Sequence, residues 1–195
     1  MADASSPNIL SPILIGISGK RNSGKSTVAS YISKGYNFLE MPVAGPLKMA
    51  AGACLGLTRD DLESALKDVI IAGQSPRMKL LRLGEAINRE FPGFLQAALH
   101  LRLGTLLKTA SIIVPDIRTS IEASIIRHFK GHLIRVNKRT ELDIEIDSHR
   151  FETEMDDYTD WDYTIDNNGT LEELHARVDE IMEAIIGKEQ RRISS

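Results

Sequence analysis

The feature that most constrains this chain is a glycine-rich segment, residues 19–26, which reads Gly-Lys-Arg-Asn-Ser-Gly-Lys-Ser. An apolar stretch at residues 13–17 comes directly before it, and a segment with helical spacing that starts at Ser26 overlaps its end. A strand, a glycine-rich loop and a helix in this order can wrap backbone amides around a phosphate chain, because the amides of a helix N-terminus carry partial positive charge. The pattern therefore predicts a site for a nucleoside triphosphate.

Individual positions of this loop are expected to have separate tasks. Gly19 and Gly24 allow the backbone to approach a phosphate closely, since a Cβ would obstruct the approach. Lys25 is expected to bridge the β and γ phosphates, Ser26 to bind Mg²⁺, and Thr27 to reach the α phosphate. The alternative interpretation is a strand-to-helix turn that binds nothing. The residues assigned to binding ATP in this loop are Gly19, Asn22, Ser23, Gly24, Lys25, Ser26 and Thr27.

Composition excludes several classes of protein. The chain has 195 residues, of which 42% are hydrophobic, and this is enough for one substantial core. Its net charge of −3 argues against binding a nucleic acid polymer, which normally needs a strong basic field. No apolar stretch reaches the length of a membrane span, and the first eight residues lack the pattern of a signal peptide. Because Cys54 is the only cysteine, we expect a small buried thiol, no internal disulfide and a cytoplasmic protein.

Strand-like and helix-like segments alternate along the rest of the chain, as in a parallel sheet with crossover helices. Two helices are expected to begin with a capping box, Thr119 with Glu122 and Thr170 with Glu173. The second of these helices is expected to end at Gly187 and to bury a stripe made of Leu171, Leu174, Val178, Ile181, Met182 and Ile185. The five predicted strands are residues 13–17, 36–41, 111–115, 132–136 and 163–166.

The region between the second and third strands has about seventy residues, far more than a single crossover requires. Four helices are predicted there, at residues 46–55, 58–65, 77–90 and 94–108. A helical insertion at the carboxyl edge of such a sheet can close over an acceptor molecule, because ligands bind at that edge. We therefore divide the chain into a disordered N-terminus (1–10), a core (11–45 and 105–187), a helical insertion (46–104) and a flexible tail (188–195).

Five further segments resemble, in the same order, those of the deoxynucleoside monophosphate kinases found in bacteriophages and some bacteria. The segments are residues 41–48, 77–84 with Arg89, 113–118 with Glu122, 147–154, and 165–170. The expected fold is a P-loop NTPase of three α/β/α layers, with five parallel strands in the order 2-3-1-4-5. The resemblance implies that the insertion binds a nucleoside monophosphate and that residues 137–156 form a short lid. If the source is a phage, the location is the host cytoplasm.

The implied reaction moves the γ-phosphoryl group of ATP to a deoxynucleoside monophosphate, giving the diphosphate and ADP. It brings two anions together, so Mg²⁺ and cationic side chains must neutralise the charge. Asp116, at the end of the third strand, is expected to hold a Mg²⁺-bound water or to orient the acceptor. The catalytic candidates are Lys25, Asp116, Arg118 and Arg139, the metal candidates are Ser26 and Asp116, and the acceptor-binding candidates are Lys48, Arg77, Arg82, Arg89, Asp116 and Arg118.

Several assignments keep an alternative. Each arginine has the alternative of a surface ion pair, and the segment 137–156 that of a solvated charged loop. If the segment is a lid, either Arg139 or Arg150 contacts the transferring phosphate when the lid closes. Glu122 is either a capping partner or an ion-pair partner of Arg118. Asn167 is expected to meet the adenine of ATP, or else to support a tight turn. A homodimer is left open.

Two other functions fit the same pattern. One is a different small-molecule kinase, acting on dephospho-coenzyme A or a sugar acid. The other is a nucleotide-dependent regulatory switch that works through a partner protein. The acceptor that stimulates turnover distinguishes the three functions.

Overall fold

The computed structural model describes residues 11–56, 58, 76–138 and 155–194. Five parallel strands form one sheet in the order β2-β3-β1-β4-β5, which confirms the predicted fold class and strand order. The strands are β1 (Leu14–Ser18), β2 (Leu39–Glu40), β3 (Ile112–Val114), β4 (His132–Asn137) and β5 (Tyr163–Asp166).

Six helices connect or flank these strands in the described part of the chain. Contacts between residues divide the chain into two compact units. The first is Met1–Pro42 with Leu99–Ser195, and the second is Val43–Ala98. The sheet lies in the first unit, and the second unit is helical in its described residues. The helices are α1 (Lys25–Tyr36), α2 (Gly45–Leu55), α3 (Pro76–Glu90), α4 (Phe94–Leu106), α5 (Ser120–His128) and α6 (Leu171–Ile193).

The main hydrophobic core lies between one face of the sheet and the helices α1 and α6. Alternate residues of β1 point to this face, because successive side chains of a strand point to opposite sides. On the opposite face Gly16 lies against Ile126 of α5, so both faces of β1 are covered. The core includes Ile13, Ile15, Ile17, Val28, Ala29, Ile32, Phe38, Ile113, Ile134, Val136, Ile165, Leu174, Val178, Ile181, Met182 and Ile185.

Both predicted capping boxes are confirmed. The hydroxyl oxygens of Thr119 at the start of α5 and Thr170 at the start of α6 each accept a hydrogen bond from the backbone amide of the glutamate three residues later. The carboxylate of that glutamate in turn accepts from the backbone amide of the threonine. A capped first turn fixes where a helix begins. The short segment after β3, residues 115–119, therefore leads into a helix whose start is fixed by its cap.

Four predictions about the elements are wrong. The second strand was expected at residues 36–41, but α1 extends to Tyr36 and Asn37 turns with φ of 58° before the short β2. Leu171 is 51% exposed, since it lies in the first turn of α6 beyond the edge of the core. Cys54 is exposed because the buried face of α2 ends at Gly52.

The predicted end of the last helix at Gly187 is also wrong, because α6 continues to Ile193 and includes most of the expected tail. Gly187 does not have the positive φ that a glycine at the C-terminal cap of a helix adopts, so the helix is not terminated there. Beyond it, Glu189 binds Nε2 of His132 at 3.0 Å and Arg192 at 2.8 Å. A glycine inside a helix costs about 1 kcal/mol, and these contacts stabilise the helix on the far side of Gly187.

Other predictions fall outside the described residues. These are the disordered N-terminus at residues 1–10, the helix at residues 58–65 apart from Thr58, and most of the lid at residues 137–156. Arg139 and Arg150 are among them.

Candidate active site

The glycine-rich loop connects the end of β1 to the start of α1. Asn22 and Gly24 take left-handed conformations, with φ of 61° and 102°, and the Ser23 amide donates to the Lys20 carbonyl at 3.2 Å. Gly24 is the N-cap residue of α1 and contributes no side-chain cap. A helix that starts without a side-chain cap can bind an anion through its first amides.

The two glycines of the loop are required by contacts within the protein. A Cβ at position 19 would overlap the carbonyl oxygen of Val136 and would lie 2.6 Å from Oγ of Ser23. A Cβ at position 24 would overlap the side-chain amide of Asn167. The sequence predicted that glycine allows close approach of a phosphate, whereas these contacts come from β4 and from the residue after β5.

Lys25 and the two hydroxyl residues after it lie at the start of α1. The Lys25 Nζ donates to the Lys20 carbonyl oxygen at 2.5 Å, so the side chain folds back over the loop. Ser26 and Thr27 are exposed in the first turn. All the loop residues predicted to bind ATP are therefore gathered at one end of the helix.

Asn167, which directly follows the edge strand β5, also contacts the glycine-rich loop. Its Nδ2 donates to the Ser23 carbonyl oxygen at 2.9 Å, and its backbone amide donates to the Asn137 carbonyl oxygen at 2.7 Å. The contact with Ser23 is a role in shaping the loop that the sequence did not predict. The proposed contact with adenine stays a prediction.

The segment after β3 lies beside the same end of β1. The backbone amide of Ile117 donates to the Ile17 carbonyl oxygen at 3.0 Å, one residue before Ser18 and the glycine-rich loop. Asp116 on this segment is half-buried and Arg118 is exposed. The structure thus brings Asp116 and Arg118 to the carboxyl edge of the sheet, next to the strand that leads into the loop.

Glu122 holds this segment from the first turn of α5. It is 5% exposed, and its Oε2 accepts from the backbone amides of Arg118 at 2.7 Å and Thr119 at 3.2 Å. Burial raises the pKa of the Glu122 carboxyl to about 7, and the negative charge of Asp116 adds to the increase, while the two amide bonds oppose it. The capping interpretation of Glu122 is confirmed.

A charged cluster beneath the loop was missed by the sequence analysis. Arg135 of β4 donates to Oγ of Ser18 at 3.1 Å and to Asp156 at 3.1 Å, and its guanidinium lies 5.5 Å from the ring centroid of Trp161. Asp156 also lies 3.5 Å from Nζ of Lys20. An arginine between the apolar residues Ile134 and Val136 of a strand was the signal available in the sequence, since such a residue needs partners to be stable there.

The remaining acceptor candidates lie in the second unit. Lys48 is half-buried on α2, and Arg82 is exposed on α3. Arg89 lies in the last turn of α3 and pairs with Glu90 at 3.1 Å, with its side chain 76% exposed. Arg77 belongs to α3, and its side chain lies outside what the structure describes.

The described residues contain neither a cluster of metal ligands nor a membrane-spanning helix. Within these ranges, no group of three or more histidine, cysteine, aspartate or glutamate side chains is arranged to hold a metal ion. Of the helices whose placement is described, none combines the length and the apolar character that crossing a membrane requires.

Known proteins are similar to this chain in sequence and in fold. Residues 83–178 match the family model for deoxynucleotide monophosphate kinase. A protein of Acanthamoeba polyphaga mimivirus named "Putative deoxynucleotide monophosphate kinase" is 27% identical over 183 residues, covering 85% of this chain and 94% of that protein. These two matches confirm the resemblance found in the sequence, and they support a nucleotide kinase.

One solved structure supports the fold class, and a second is given beside it for comparison. A dephospho-CoA kinase from Campylobacter jejuni has a TM-score of 0.51 at 12% identity, over 88% of this chain and 96% of that chain. A shikimate kinase from Aquifex aeolicus has a TM-score of 0.48 at 18% identity, over 91% of this chain and 99% of that chain. At such identities the likeness concerns the fold alone.

Proposed function

We propose that this chain transfers the γ-phosphoryl group of ATP to a deoxynucleoside monophosphate in the presence of Mg²⁺, giving the diphosphate and ADP. The observation that carries the proposal is the glycine-rich loop between β1 and α1, in which the helix begins after Gly24 without a side-chain cap and with Lys25, Ser26 and Thr27 in its first turn. The match of residues 83–178 to deoxynucleotide monophosphate kinases supports this choice of acceptor. A cytoplasmic location is part of the proposal.

The donor triphosphate would lie along the glycine-rich loop. Its phosphates would take the place of the Lys20 carbonyl oxygen as the partner of the Lys25 ammonium, because an anion attracts that charge more strongly than a neutral oxygen does. Asn167 would support the loop through its bond to Ser23, with adenine as its further proposed partner. These residues position the γ phosphate, which is the main task of such an enzyme.

The residues present fit a magnesium ion. Mg²⁺ prefers hard oxygen ligands and keeps several of its waters. The Ser26 hydroxyl, exposed at the start of α1, and the half-buried Asp116 carboxylate supply such oxygens. When bound, Mg²⁺ would neutralise part of the phosphate charge.

The acceptor phosphate would be bound by guanidinium groups, which make two parallel hydrogen bonds to a phosphate. Arg118 is proposed for this task because its segment is tied to the end of β1. The acceptor roles of Lys48, Arg77, Arg82 and Arg89, and the catalytic role of Arg139, are parts of the proposal that rest on the sequence resemblance.

The test is ADP release by the purified protein with Mg·ATP and each of the four deoxynucleoside monophosphates in turn. We expect at least one of them to raise turnover well above the rate without an acceptor. Dephospho-coenzyme A and a sugar acid, assayed in parallel, test the alternative small-molecule kinases. A protein that releases ADP equally fast with and without every deoxynucleotide would contradict the proposal.

Two lysines of α1 provide a matched pair of variants. Lys25→Ala removes the ammonium at the loop and should abolish transfer, with an unchanged circular dichroism spectrum. Lys34→Ala removes an exposed ammonium in the last turn of the same helix and should retain activity. Equal activity of the two variants would exclude the proposed role of Lys25.

A further inference from the structure

The carboxyl of Glu122 makes one more backbone bond than a capping box requires. A capping box uses the glutamate to accept from the N-cap amide, which here is the bond from Thr119 at 3.2 Å. The shorter bond, at 2.7 Å, comes from the amide of Arg118, one residue before the N-cap. The extra bond therefore acts on the segment that precedes the helix.

The capping box of α6, formed by Thr170 and Glu173, contains the two hydrogen bonds that capping requires and serves for comparison. Glu173 accepts from the Thr170 amide at 2.9 Å and Thr170 accepts from Glu173 at 3.2 Å. Among the described residues, Glu173 has no bond to the residue before its N-cap, and it is exposed to solvent. Glu122 and Glu173 thus share one function at their helices and differ in the bond to Arg118.

We propose that Glu122 is a positioning residue that fixes the segment carrying Asp116 and Arg118 for binding the acceptor phosphate. This inference rests on the proposed function, in which Arg118 binds that phosphate. Glu122 does not itself touch the substrate. It acts through the backbone of Arg118.

Two contacts hold the segment, one on each side of Arg118. On the N-terminal side, Ile117 is 2% exposed and its amide is bonded to the Ile17 carbonyl oxygen at the end of β1. On the C-terminal side, Thr119 is 6% exposed and its amide is bonded to Glu122. The Arg118 amide bond to Glu122 lies between them, so the backbone has little freedom at the residue whose side chain is exposed.

Burial makes the bond to Arg118 difficult to replace. An exposed amide that loses its partner is hydrated at once, but Glu122 is 5% exposed, so the place of its carboxyl is shielded from bulk water. Without Glu122, the Arg118 amide would have to find a new partner, either in a water that enters the vacated space or by a shift of the segment, and neither holds the backbone as the carboxyl does. A small displacement of a binding group can cost a large part of the rate.

The test compares Glu122→Ala, Glu122→Gln and Glu173→Ala for thermal unfolding, for the KM of ATP, and for kcat and KM of the best deoxynucleotide. We expect Glu122→Ala to lower kcat/KM for the acceptor by about tenfold or more, with the KM of ATP changed by less than about twofold. Glu122→Gln should recover most of this loss, because its amide oxygen can accept the same two bonds. Glu173→Ala should lower the melting temperature and leave the kinetics unchanged.

Hydrogen exchange keeps the test decisive if Glu122→Ala does not fold. Glu122→Gln should then protect the Arg118 amide as the wild type does, and keep near-normal acceptor kinetics. Glu122→Gln with normal protection and lost acceptor kinetics would overturn the inference, as would Glu122→Ala with the kinetics of Glu173→Ala. In both cases the wild type is active, so the proposed function survives. A wild type inert toward every deoxynucleotide would instead overturn the proposed function, and this inference with it.

Discussion

The side-chain amide of Asn167 donates a hydrogen bond of 2.9 Å to the backbone carbonyl oxygen of Ser23. The loop after β5 is thereby tied to the loop before α1, two segments 144 residues apart in the chain. The same amide nitrogen fills the space that a Cβ on Gly24 would need. Asn167 and Gly24 therefore fit each other, and both shape the place where a triphosphate is proposed to bind.

Removing this amide should weaken nucleotide binding. A hydrogen bond of this kind contributes about 1 kcal/mol, so Asn167→Ala should raise the Kd for ATP by roughly three- to tenfold. Titration calorimetry with Mg·ATP measures the change. Asn168→Ala, at the exposed next position, is the control and should bind ATP like the wild type. Equal Kd values for Asn167→Ala and Asn168→Ala would contradict the prediction.

Replacing Gly24 or Gly35 by alanine should have different effects, a loss of ATP binding for Gly24 and a gain of stability for Gly35. Gly24 has φ of 102°, and a Cβ there would overlap the Asn167 amide, so Gly24→Ala should distort the loop and abolish measurable ATP binding. Gly35 lies in α1 with nothing within 4 Å of an added Cβ. Gly35→Ala should raise the free energy of unfolding by about 0.5–1 kcal/mol, because alanine favours helix. Urea denaturation and ATP titration of both variants decide the matter, and a Gly24→Ala protein that binds ATP normally would refute it.

The Asp179 carboxylate should contribute strongly to stability. Its two oxygens accept from the hydroxyls of Tyr31 at 2.9 Å and Tyr36 at 2.7 Å, which joins α6 to α1. Asp179→Ala leaves two partly buried hydroxyls to find new partners and should lower the free energy of unfolding by about 1–3 kcal/mol. Urea denaturation measures the loss.

The neighbouring Glu180 supplies the control for Asp179. It pairs with Arg177 at 2.6 Å, but both side chains are more than half exposed. Such a pair contributes little, so Glu180→Ala should change the free energy of unfolding by less than about 0.5 kcal/mol. A larger loss for Glu180→Ala than for Asp179→Ala would show that the carboxylate between the two tyrosines is not what joins the helices.

The sequence predicted those parts of the fold that depend on local pattern. A few neighbouring residues determine each of these parts, namely the apolar strands, the loop of residues 19–26 and the capping boxes at Thr119 and Thr170. Periodicity and capping act over one or two turns, so they can be read without knowledge of the rest of the chain. The strand order followed from these elements and from the family resemblance.

Contacts between distant segments could not be predicted in this way. Arg135 reaches Ser18 across neighbouring strands, and Glu189 reaches His132 from the end of α6. The helix past Gly187 is supported by the second of these contacts, which is why the glycine alone misled the prediction of its end. The residue type was visible in each case, but its partner becomes known only from the folded chain.

The stability of the protein should depend on pH through Glu122. Its pKa in the folded protein is about 7, against 4.5 for an ordinary glutamate, chiefly because the carboxyl is buried, with Asp116 adding to the effect. Between these two values the folded state keeps a proton that the unfolded state has lost. Raising the pH through this window therefore lowers the free energy of unfolding, by up to roughly 1.4 kcal/mol per pH unit and roughly 3 kcal/mol in all.

Glu122→Gln isolates this contribution, because glutamine does not titrate. The contribution of Glu122 is fully present below about pH 4.5 and is lost as the pH rises through about 7, so the wild type should lose stability relative to the variant over that range. Urea denaturation of both proteins at half-unit steps of pH gives the two stability curves. The curves should converge or cross in favour of Glu122→Gln as the pH increases. Curves that stay parallel would mean that the carboxyl is already ionised well below neutral pH, and that its amide bonds from Arg118 and Thr119 outweigh its burial.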